Sequence, residues 1–318
     1  MARIFVTRRL PGPALDRLGA RHDVDVWPDR LPPEADTLAE HAREVDGLLS
    51  TISDRIDAGL IAACPNLKAI ANYAVGYDNV DIAAATARGI PVGNTPDVLT
   101  DATADIAFTL LLAAARRLLE ACATVTDGTW DTWDPRGLLG RAVNGKTLGI
   151  IGAGRIGRAV ARRASGFDME VLLSGRAADE GAVQQDGRTP TPELLRRSDF
   201  VSVHCPLNEQ TRHLIDADAL ALMRPTAILV NTARGPIVDQ QALAQALHEG
   251  TIAGAALDVT DPEPLPPDDP LLRAPNLIVA PHIGSATHEA REQMAELSVD
   301  NLLAALDGKP MPHQVNRP

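Results

Sequence analysis

The sequence of 318 residues predicts an α/β protein of two domains, with one domain inserted into the other. Short apolar runs alternate with helical segments along the chain, which indicates parallel sheets. The segment "GAGRIG" at 152–157 is a glycine-rich turn between a strand pattern and a helix pattern, and it comes only after about 150 residues. A last helix pattern, His288–Leu306, leaves the second α/β unit. The end of the chain should therefore return to the first domain.

The first 95 residues or so read as an α/β unit of their own, without a glycine-rich phosphate loop. Helix patterns lie at Ala35–Val45 and Asp57–Ala63. The predicted strands are "RIFVT", "DVDVW", "GLLST", "LKAIAN" and "IPVGN".

The next segment, 95–125, is rich in Ala and Leu and predicts a long helix that Thr100 or Asp101 caps. Its apolar run Ile106–Ala115 is too short to span a membrane, so it predicts a buried helix. Gly, Pro and two Trp then interrupt the helical pattern over 127–145.

A second series of βα pairs follows the glycine-rich turn. Its strands are "LGII", "EVLLS", "FVSVH", "AILVN", "GAALDV" and "LIVAPH", and a proline-rich loop lies at 262–270. In the turn, Gly152 allows the tight bend, Gly154 allows a pyrophosphate to approach, and Gly157 allows helix and strand to pack. The helix N-terminus then faces the phosphate. A strand before this turn and a helix after it predict a Rossmann dinucleotide-binding domain.

Composition excludes several classes of protein. A formal net charge of −12 argues against nucleic-acid binding, which needs clustered Lys and Arg. Three scattered cysteines without a CxxC pair argue against a disulfide framework and a zinc site. The N-terminus "MARIFVTRRL" has no long apolar run, so we expect neither a signal peptide nor a membrane anchor. A cytoplasmic protein is expected.

The residues after the strand "EVLLS" predict the choice of cofactor. NAD-binding proteins usually place an acid there for the ribose 2′-hydroxyl. Here Ser174, Gly175 and Arg176 occupy the position, and the first carboxylate is Asp179. An arginine pairs well with a 2′-phosphate. We therefore predict a preference for NADP(H), with NAD(H) as the alternative if Arg176 is only a solvated loop residue.

Polar residues follow three later strands of the second domain. Arg234 follows "AILVN", Asp258 ends "GAALD" with Glu263 five residues on, and His282 ends "LIVAPH". In open α/β sheets the ligand lies outside the carboxyl ends of the strands, so these residues should face one crevice. Together these side chains suit the binding and reduction of a 2-ketoacid.

Each of these side chains has a predicted task in ketoacid reduction. Arg234 can hold a carboxylate through two parallel hydrogen bonds and polarise the adjacent carbonyl. His282 can give a proton, because a histidine titrates near neutral pH. Glu263, if bonded to His282, would favour the imidazolium and fix the ring. The alternatives are a surface arginine, a solvated glutamate and a histidine satisfied within the core. No acid pattern accompanies His282, so no metal is expected.

Four motifs in order, "GAGRIG", "NTARGPIVD", "LDVTDPEPLPPDDPLL" and "PHIGSAT", resemble the D-isomer-specific 2-hydroxyacid dehydrogenase family. The likeness runs from "IFVTRR" to "NLLAALDGKPMP" and is greatest to its glyoxylate/hydroxypyruvate reductases. It implies a flavodoxin-like substrate-binding domain over 1–98 and 287–318, and a Rossmann NAD(P)-binding domain over 99–286. It also implies NADPH-dependent reduction of glyoxylate to glycolate and of hydroxypyruvate to D-glycerate.

The resemblance implies a full set of site residues. The catalytic residues are Arg234, Glu263 and His282. The backbone of Val75 and Gly76 would hold the substrate carboxylate, with Ser50 and Trp133 as further substrate contacts. Trp133 would reach a neighbouring subunit's site in a homodimer formed through the Ile106 helix and the "WDTWDP" arm. The cofactor contacts are Thr103, Gly152, Gly154, Arg155, Ile156, Gly157, Ser174, Gly175, Arg176, Cys205, Pro206, Thr211, Thr232, Ala233, Asp258 and Gly284.

Other functions remain open on the sequence. A phosphoglycerate dehydrogenase or a broad 2-ketoacid reductase belongs to the same family, and Glu263 disfavours a formate dehydrogenase. Asn72 and Tyr73 stand where relatives often have smaller residues, which leaves the exact substrate open. A nucleotide-sensing scaffold for protein partners would share the fold. Turnover would distinguish an enzyme from such a scaffold.

Overall fold

The computed structural model describes residues 1–174 and 188–317. The chain divides into two units. Unit 1 comprises Met1–Leu99 and Ser285–Pro318, and unit 2 comprises Thr100–Gly284. The sequence predicts a substrate-binding domain over 1–98 and 287–318 and a cofactor-binding domain over 99–286, and this assignment of roles to the two units stays a prediction.

Unit 1 is built on a five-stranded parallel sheet in the order β2-β1-β3-β4-β5. The flavodoxin-like doubly wound fold has this order, as the sequence predicted. The strands are β1 (Arg3–Val6), β2 (Asp23–Val26), β3 (Gly47–Thr51), β4 (Ala69–Tyr73) and β5 (Val92–Gly93). Residues of β3 and β4 are almost all fully buried, because helices cover both faces of the sheet.

Five helices cover this sheet, and side chains cap three of them. They are α1 (Ala14–Gly19), α2 (Ala35–Ala42), α3 (Ala58–Ala63), α4 (Ile82–Ala87) and α11 (His288–Leu306). Asp57, Asp81 and Thr287 each accept a hydrogen bond from the first turn of their helix. Helix α11 has the bounds that the sequence predicted, and it packs on β4.

Unit 2 contains a six-stranded parallel sheet in the order β11-β10-β9-β8-β6-β7. The strands are β6 (Thr147–Ile151), β7 (Glu170–Ser174), β8 (Phe200–Val203), β9 (Ile228–Asn231), β10 (Gly254–Leu257) and β11 (Leu277–Val279). The chain crosses from β6 to β7 on one side and then to β8 on the other. The carboxyl ends of β6 and β8 therefore form the switch point where a Rossmann-type sheet binds its ligand.

Helices lie on both faces of this second sheet. They are α5 (Thr100–Ala115), α6 (Leu118–Thr126), α7 (Arg155–Ser165), α8 (Thr191–Arg197), α9 (Ala217–Leu222) and α10 (Gln240–Glu249). One core packs Val201, Val203 and Leu229 against α8, α9 and α10. The other packs Leu148 and Ile150 against α5 and α7. Alternate strand residues thus face opposite cores.

The long helix predicted within the segment 95–125, with Thr100 or Asp101 as its cap, differs from the structure at two points. It begins at Thr100, so neither Thr100 nor Asp101 occupies the capping position before it. It also breaks at Arg117, which has a left-handed backbone with φ of 50°, and α6 then begins at Leu118. A residue in this conformation cannot continue a right-handed helix. Of the helices that the structure describes, none has the length and apolar character needed to cross a bilayer.

Candidate active site

The glycine-rich turn joins β6 to α7 at the switch point of unit 2. Gly152 has φ of 99°, and a Cβ there would lie 2.4 Å from the backbone nitrogen of Cys205. A Cβ on Gly157 would lie 2.2 Å from the carbonyl oxygen of Gly152. At Gly154 a Cβ would meet nothing within 4 Å, so open space lies beside the first turn of α7, where Arg155 and Ile156 begin the helix. We call the turn 152–157, together with this open space, the phosphate cradle, because it fits a pyrophosphate group at a helix N-terminus.

Beside the cradle, β7 ends at the position from which the sequence predicts the choice of cofactor. Ser174 is buried, and its hydroxyl lies 2.7 Å from the hydroxyl of Thr191. Gly175 and Arg176 lie outside the described residues. The structure thus positions the strand that leads to Arg176, and the pairing of that arginine with a 2′-phosphate stays a prediction.

The segment after β8 closes the other side of the cradle. His204 bridges two strand ends, since its Nε2 lies 2.8 Å from the Ser202 hydroxyl and its Nδ1 lies 3.4 Å from the Thr232 hydroxyl. Burial lowers the pKa of His204 to about 4. Burial also raises the pKa of the Cys205 thiol to about 11, so it remains protonated at neutral pH. The Thr211 hydroxyl donates to the Pro206 carbonyl at 2.7 Å, which ties the segment into a compact turn.

Arg234 lies in a turn that directly follows β9. The buried Asn231 holds this turn, because its amide donates to the Arg234 carbonyl at 2.9 Å and its oxygen accepts from the Ala233 N–H at 3.0 Å. The Arg234 guanidinium donates to the Ala233 carbonyl at 2.8 Å. Next to it, a Cβ on Gly235 would lie 1.9 Å from the Thr260 carbonyl oxygen. The Arg234 turn therefore packs directly on the loop that leads to Glu263.

Glu263 and His282 form a hydrogen-bonded pair at the carboxyl ends of β10 and β11. One carboxylate oxygen of Glu263 lies 2.8 Å from Nδ1 of His282, and the other accepts the Thr260 N–H at 3.0 Å. Both side chains are partly exposed. With Nδ1 paired to the carboxylate, Nε2 is the nitrogen that would exchange a proton with a substrate.

The backbone of His282 has a left-handed conformation, with φ of 54°. Such a conformation is uncommon outside glycine and persists only where the surroundings enforce it. Here the His282 N–H donates to the Asp258 carbonyl at 2.9 Å. The Asp258 carboxylate then accepts the N–H groups of Ile283 at 2.8 Å and Gly284 at 2.7 Å. Burial raises the pKa of Asp258, and the hydrogen bond from Ile283 opposes that shift.

Two cofactor contacts predicted from the sequence, Thr103 and Gly284, adjoin this Asp258 loop. A Cβ on Gly284 would lie 3.1 Å from an Asp258 carboxylate oxygen and 3.3 Å from the Thr103 methyl group. Of the residues that the structure describes, no cluster of three or more His, Cys, Asp or Glu could hold a metal ion.

In unit 1, the predicted carboxylate-binding residues Val75 and Gly76 follow β4 and are half-buried. Ser50 lies at the neighbouring end of β3, where its buried hydroxyl donates to the Asn72 side chain at 3.1 Å. Ser50 thus supports Asn72, and its contact with a substrate stays a prediction. Trp133 belongs to unit 2, where its side chain is exposed, and its contact with a substrate stays a prediction.

Comparison with known proteins identifies the family. Residues 108–284, more than half of the chain, match the model of the D-isomer specific 2-hydroxyacid dehydrogenase NAD-binding domain. The chain belongs to the D-isomer specific 2-hydroxyacid dehydrogenase family. It is therefore an NAD(P)-dependent oxidoreductase.

Relatives match over almost the whole chain. Glyoxylate reductase from Korarchaeum cryptofilum is 50% identical over 318 residues, which cover 99% of this chain and 96% of that protein. Glyoxylate reductase from Thermococcus litoralis is 48% identical, with 99% and 97% covered. A structure of the NADPH-dependent glyoxylate/hydroxypyruvate reductase of Sinorhizobium meliloti with NADP and malonate has a TM-score of 0.84 and 35% identity, and 99% and 96% of the chains are covered.

Asn94 in unit 1 and Asn231 in unit 2 hold loops that the sequence predicts to bind ligands, but they were not singled out in the sequence, and Asn72 was noted only for its size. Asn72, Asn94 and Asn231 each stand at or just after the end of a buried strand. The signal was present, because the predicted strands "LKAIAN", "IPVGN" and "AILVN" all end in asparagine. A buried amide side chain must find hydrogen-bond partners, and here the partners are backbone groups of the loops that follow the strands.

Proposed function

We propose that this dehydrogenase reduces glyoxylate to glycolate, with hydroxypyruvate as a second substrate that yields D-glycerate. The observation that carries the proposal is the Glu263–His282 pair at 2.8 Å, in the sheet whose switch point holds the phosphate cradle. Relatives called glyoxylate reductase, about half identical over nearly the full chain, support this choice of substrate.

In the proposed reaction, His282 is the proton donor. The reduced nicotinamide, when bound, supplies the hydride that adds to the carbonyl carbon. His282 Nε2 gives its proton to the carbonyl oxygen as the C–O π bond opens, and the product is the 2-hydroxyacid. Glu263 remains bonded to Nδ1 through the transfer. This bond holds the ring in one orientation.

Arg234 is the proposed substrate clamp. Its backbone is fixed by Asn231 and by the contact of Gly235 with Thr260, so its main chain has a defined position beside the Glu263 loop. The planar guanidinium can bind a carboxylate through two parallel hydrogen bonds, which also orients the adjacent carbonyl. Recognition of the substrate carboxylate by the N–H groups of Val75 and Gly76 in unit 1 stays a prediction of the family resemblance.

NADP(H) is the proposed cofactor, with NAD(H) as the weaker alternative. The described strand β7 ends in Ser174, so no acid stands there to repel a 2′-phosphate. We expect wild type to prefer NADPH, and Arg176→Ala to lose most of that preference while its NADH activity changes little. Steady-state kinetics with both cofactors at one fixed ionic strength would measure this. If wild type had the same kcat/KM with NADH as with NADPH, the proposed preference for NADP(H) would be wrong.

The proposed assembly is a homodimer of a cytoplasmic enzyme. The segment 118–139 of unit 2 carries Leu118, Leu119, Trp130, Trp133 and Leu139, all more than half exposed. Large exposed apolar patches mark interaction surfaces. The cysteines Cys64, Cys122 and Cys205 are free thiols, which fits a reducing compartment.

A substrate panel tests the proposed function directly. Purified protein is assayed with NADPH and then with NADH against glyoxylate, hydroxypyruvate, pyruvate and phosphohydroxypyruvate. We expect the highest kcat/KM with glyoxylate and NADPH, and hydroxypyruvate second. A higher kcat/KM for phosphohydroxypyruvate would favour a phosphoglycerate dehydrogenase. Cofactor binding without turnover of any ketoacid would favour a nucleotide-sensing scaffold.

A further inference from the structure

The loop after β4, residues 74–79, has an unusual set of anchors. Three successive carbonyl oxygens accept hydrogen bonds from within unit 1. The Ala74 carbonyl accepts from the Thr95 N–H at 2.8 Å. The Val75 carbonyl accepts from the Asn94 side-chain amide at 2.8 Å, and the Gly76 carbonyl accepts from the Asn72 amide at 2.9 Å. Every peptide plane from Ala74 to Tyr77 is therefore fixed on its carbonyl side.

Fixing a carbonyl also fixes the N–H of the next residue. A trans peptide is planar, and its C=O and N–H point in opposite directions. The Val75 N–H must therefore point away from Thr95, and the Gly76 N–H must point away from Asn94. Within the residues that the structure describes, neither N–H has a hydrogen-bond partner. Two adjacent, fixed and unpaired N–H groups suit the oxygen atoms of an anion.

Asn94 is itself held on both sides of its backbone. Its N–H donates to the His313 carbonyl at 3.0 Å, and its carbonyl accepts from the Asn301 side chain at 2.9 Å. Asn301 lies fully buried in α11, and a Cβ on Gly93 would lie only 2.7 Å from its Cγ. Asn94 thus has little freedom to turn away from Val75. Its side-chain amide is a rigid support for the loop.

We infer that Asn94 is a positioning residue, which orients the Gly76 N–H to bind the carboxylate of the substrate. Asn72 acts in the same way on the following peptide. This inference rests on the proposed function, because it deepens the predicted role of Val75 and Gly76. Asn94 touches the loop and acts only through it. Its loss should therefore weaken the binding of carboxylates and leave the binding of the cofactor unchanged.

The test compares Asn94→Ala and Asn94→Asp with a matched control, Asn316→Ala. Asn316 is also buried and also holds β5, because it accepts the Val92 N–H at 2.8 Å and donates to the Ile90 carbonyl at 2.9 Å. Its bonds lie away from the 74–79 loop. A carboxylate in place of the Asn94 amide would keep the size of the side chain but could not donate to the Val75 carbonyl, and it adds a negative charge. Asn94→Ala removes the same donor without adding a charge, so a rise in KM that both variants share reports the loss of the donor.

For both Asn94 variants we expect KM for glyoxylate to rise about tenfold, the worth of a misplaced hydrogen-bond donor to a charged group. The Kd for malonate, titrated against the NADPH-bound protein, should rise by a similar factor. The KM for NADPH should stay within about twofold. Asn316→Ala should resemble wild type in all three constants, even where its melting temperature falls.

Three results would overturn the inference. One is an unchanged KM for glyoxylate in a folded Asn94→Asp. The second is an equal rise in KM in Asn316→Ala once the losses of melting temperature are compared. In that case the rise in KM would come from lower stability and not from a misplaced Gly76 N–H. The third is unchanged binding of malonate by Asn94→Asp. That binding measurement needs no turnover. It would therefore still decide the inference if wild type failed to reduce glyoxylate and the proposed function fell.

Discussion

At the scale of single residues, the site depends on a histidine whose ring and backbone are both constrained. Glu263 fixes the ring of His282 through Nδ1, and the Asp258 carbonyl fixes its N–H. The left-handed conformation of His282 concentrates local strain at this residue. Strain that the surrounding loops maintain is common at residues that react, because it keeps the reacting atom in one place.

Replacement of His282 by alanine should lower kcat for glyoxylate reduction by about 100-fold or more, the usual contribution of a positioned acid. The matched control is His248→Ala, since His248 is an exposed histidine of α10 that bonds only within its own helix. Stopped-flow or steady-state assays and NADPH titration would measure the effect. NADPH binding should survive in both variants. Turnover near wild type in His282→Ala would exclude the proposed role.

Arg234→Lys should be a damaging replacement in spite of the retained charge. A lysine cannot make the planar two-point contact with a carboxylate. We expect KM for glyoxylate to rise and kcat to fall, each by about tenfold. The surface arginine Arg224, which pairs with Asp199, supplies the control Arg224→Lys. If both constants for Arg234→Lys stay within twofold of wild type, Arg234 does not clamp the substrate.

At the scale of elements, the turn between β6 and α7 is the proposed binding site for the pyrophosphate of the cofactor. Gly152→Ala should abolish NADPH binding and lower stability by more than about 1 kcal/mol. Its φ of 99° is unfavourable for alanine, and the new Cβ would lie 2.4 Å from the Cys205 nitrogen. Gly166→Ala is the control, because Gly166 has a helical φ of −68° at the end of α7. Thermal melting and fluorescence titration with NADPH would compare the two, and tight binding by Gly152→Ala would contradict the cradle.

His204 links the ends of β8 and β9, and it should make stability depend on pH. Burial lowers its pKa to about 4 in the fold, whereas an unfolded histidine titrates near 6.5. The unfolded state therefore takes up the proton first as pH falls. The contribution of neutral His204 is fully present above about pH 6.5 and is lost as pH falls towards 4.

Melting temperatures from pH 7.5 to 4.5 would test this for wild type and His204→Gln. Glutamine keeps hydrogen-bonding groups near Ser202 and Thr232 but does not titrate. Wild type should lose more stability than the variant over this range. Parallel curves for the two proteins would show that His204 does not titrate with unfolding.

At the scale of the whole molecule, the exposed apolar segment 118–139 should be the contact between two copies of the chain. Trp133→Ser with Leu139→Ser should shift the protein from dimer to monomer, because both side chains are more than two-thirds exposed in one chain and apolar. Analytical ultracentrifugation over a range of concentrations would measure this. The control is Leu31→Ser, an exposed leucine of unit 1. If the wild-type protein is a monomer at all concentrations, the proposed homodimer is wrong.

Much of this architecture could be predicted because it depends on local patterns. Apolar runs marked the strands, and helix α11 was predicted with its observed bounds. Arg234, Asp258 and His282 could be brought to one crevice from the sequence because ends of parallel strands share one edge of a sheet, whereas the hydrogen bond between Glu263 and His282 was only a condition. The break at Arg117 was missed because Ala and Leu continue on both sides without Gly or Pro. The support of Asn94 by Asn301 spans 207 residues, a separation at which no local pattern gives a signal.

The insertion of unit 2 within unit 1 has a consequence for biosynthesis. Helix α11, which packs on β4, follows the whole of unit 2 along the chain. During translation, the face of β4 that α11 covers stays exposed until residues 288–306 have left the ribosome. By that time all residues of unit 2 have already been synthesised. Domains generally fold as units in the order in which they are completed. The inserted domain can therefore mature first, and the domain that begins the chain is the last to close.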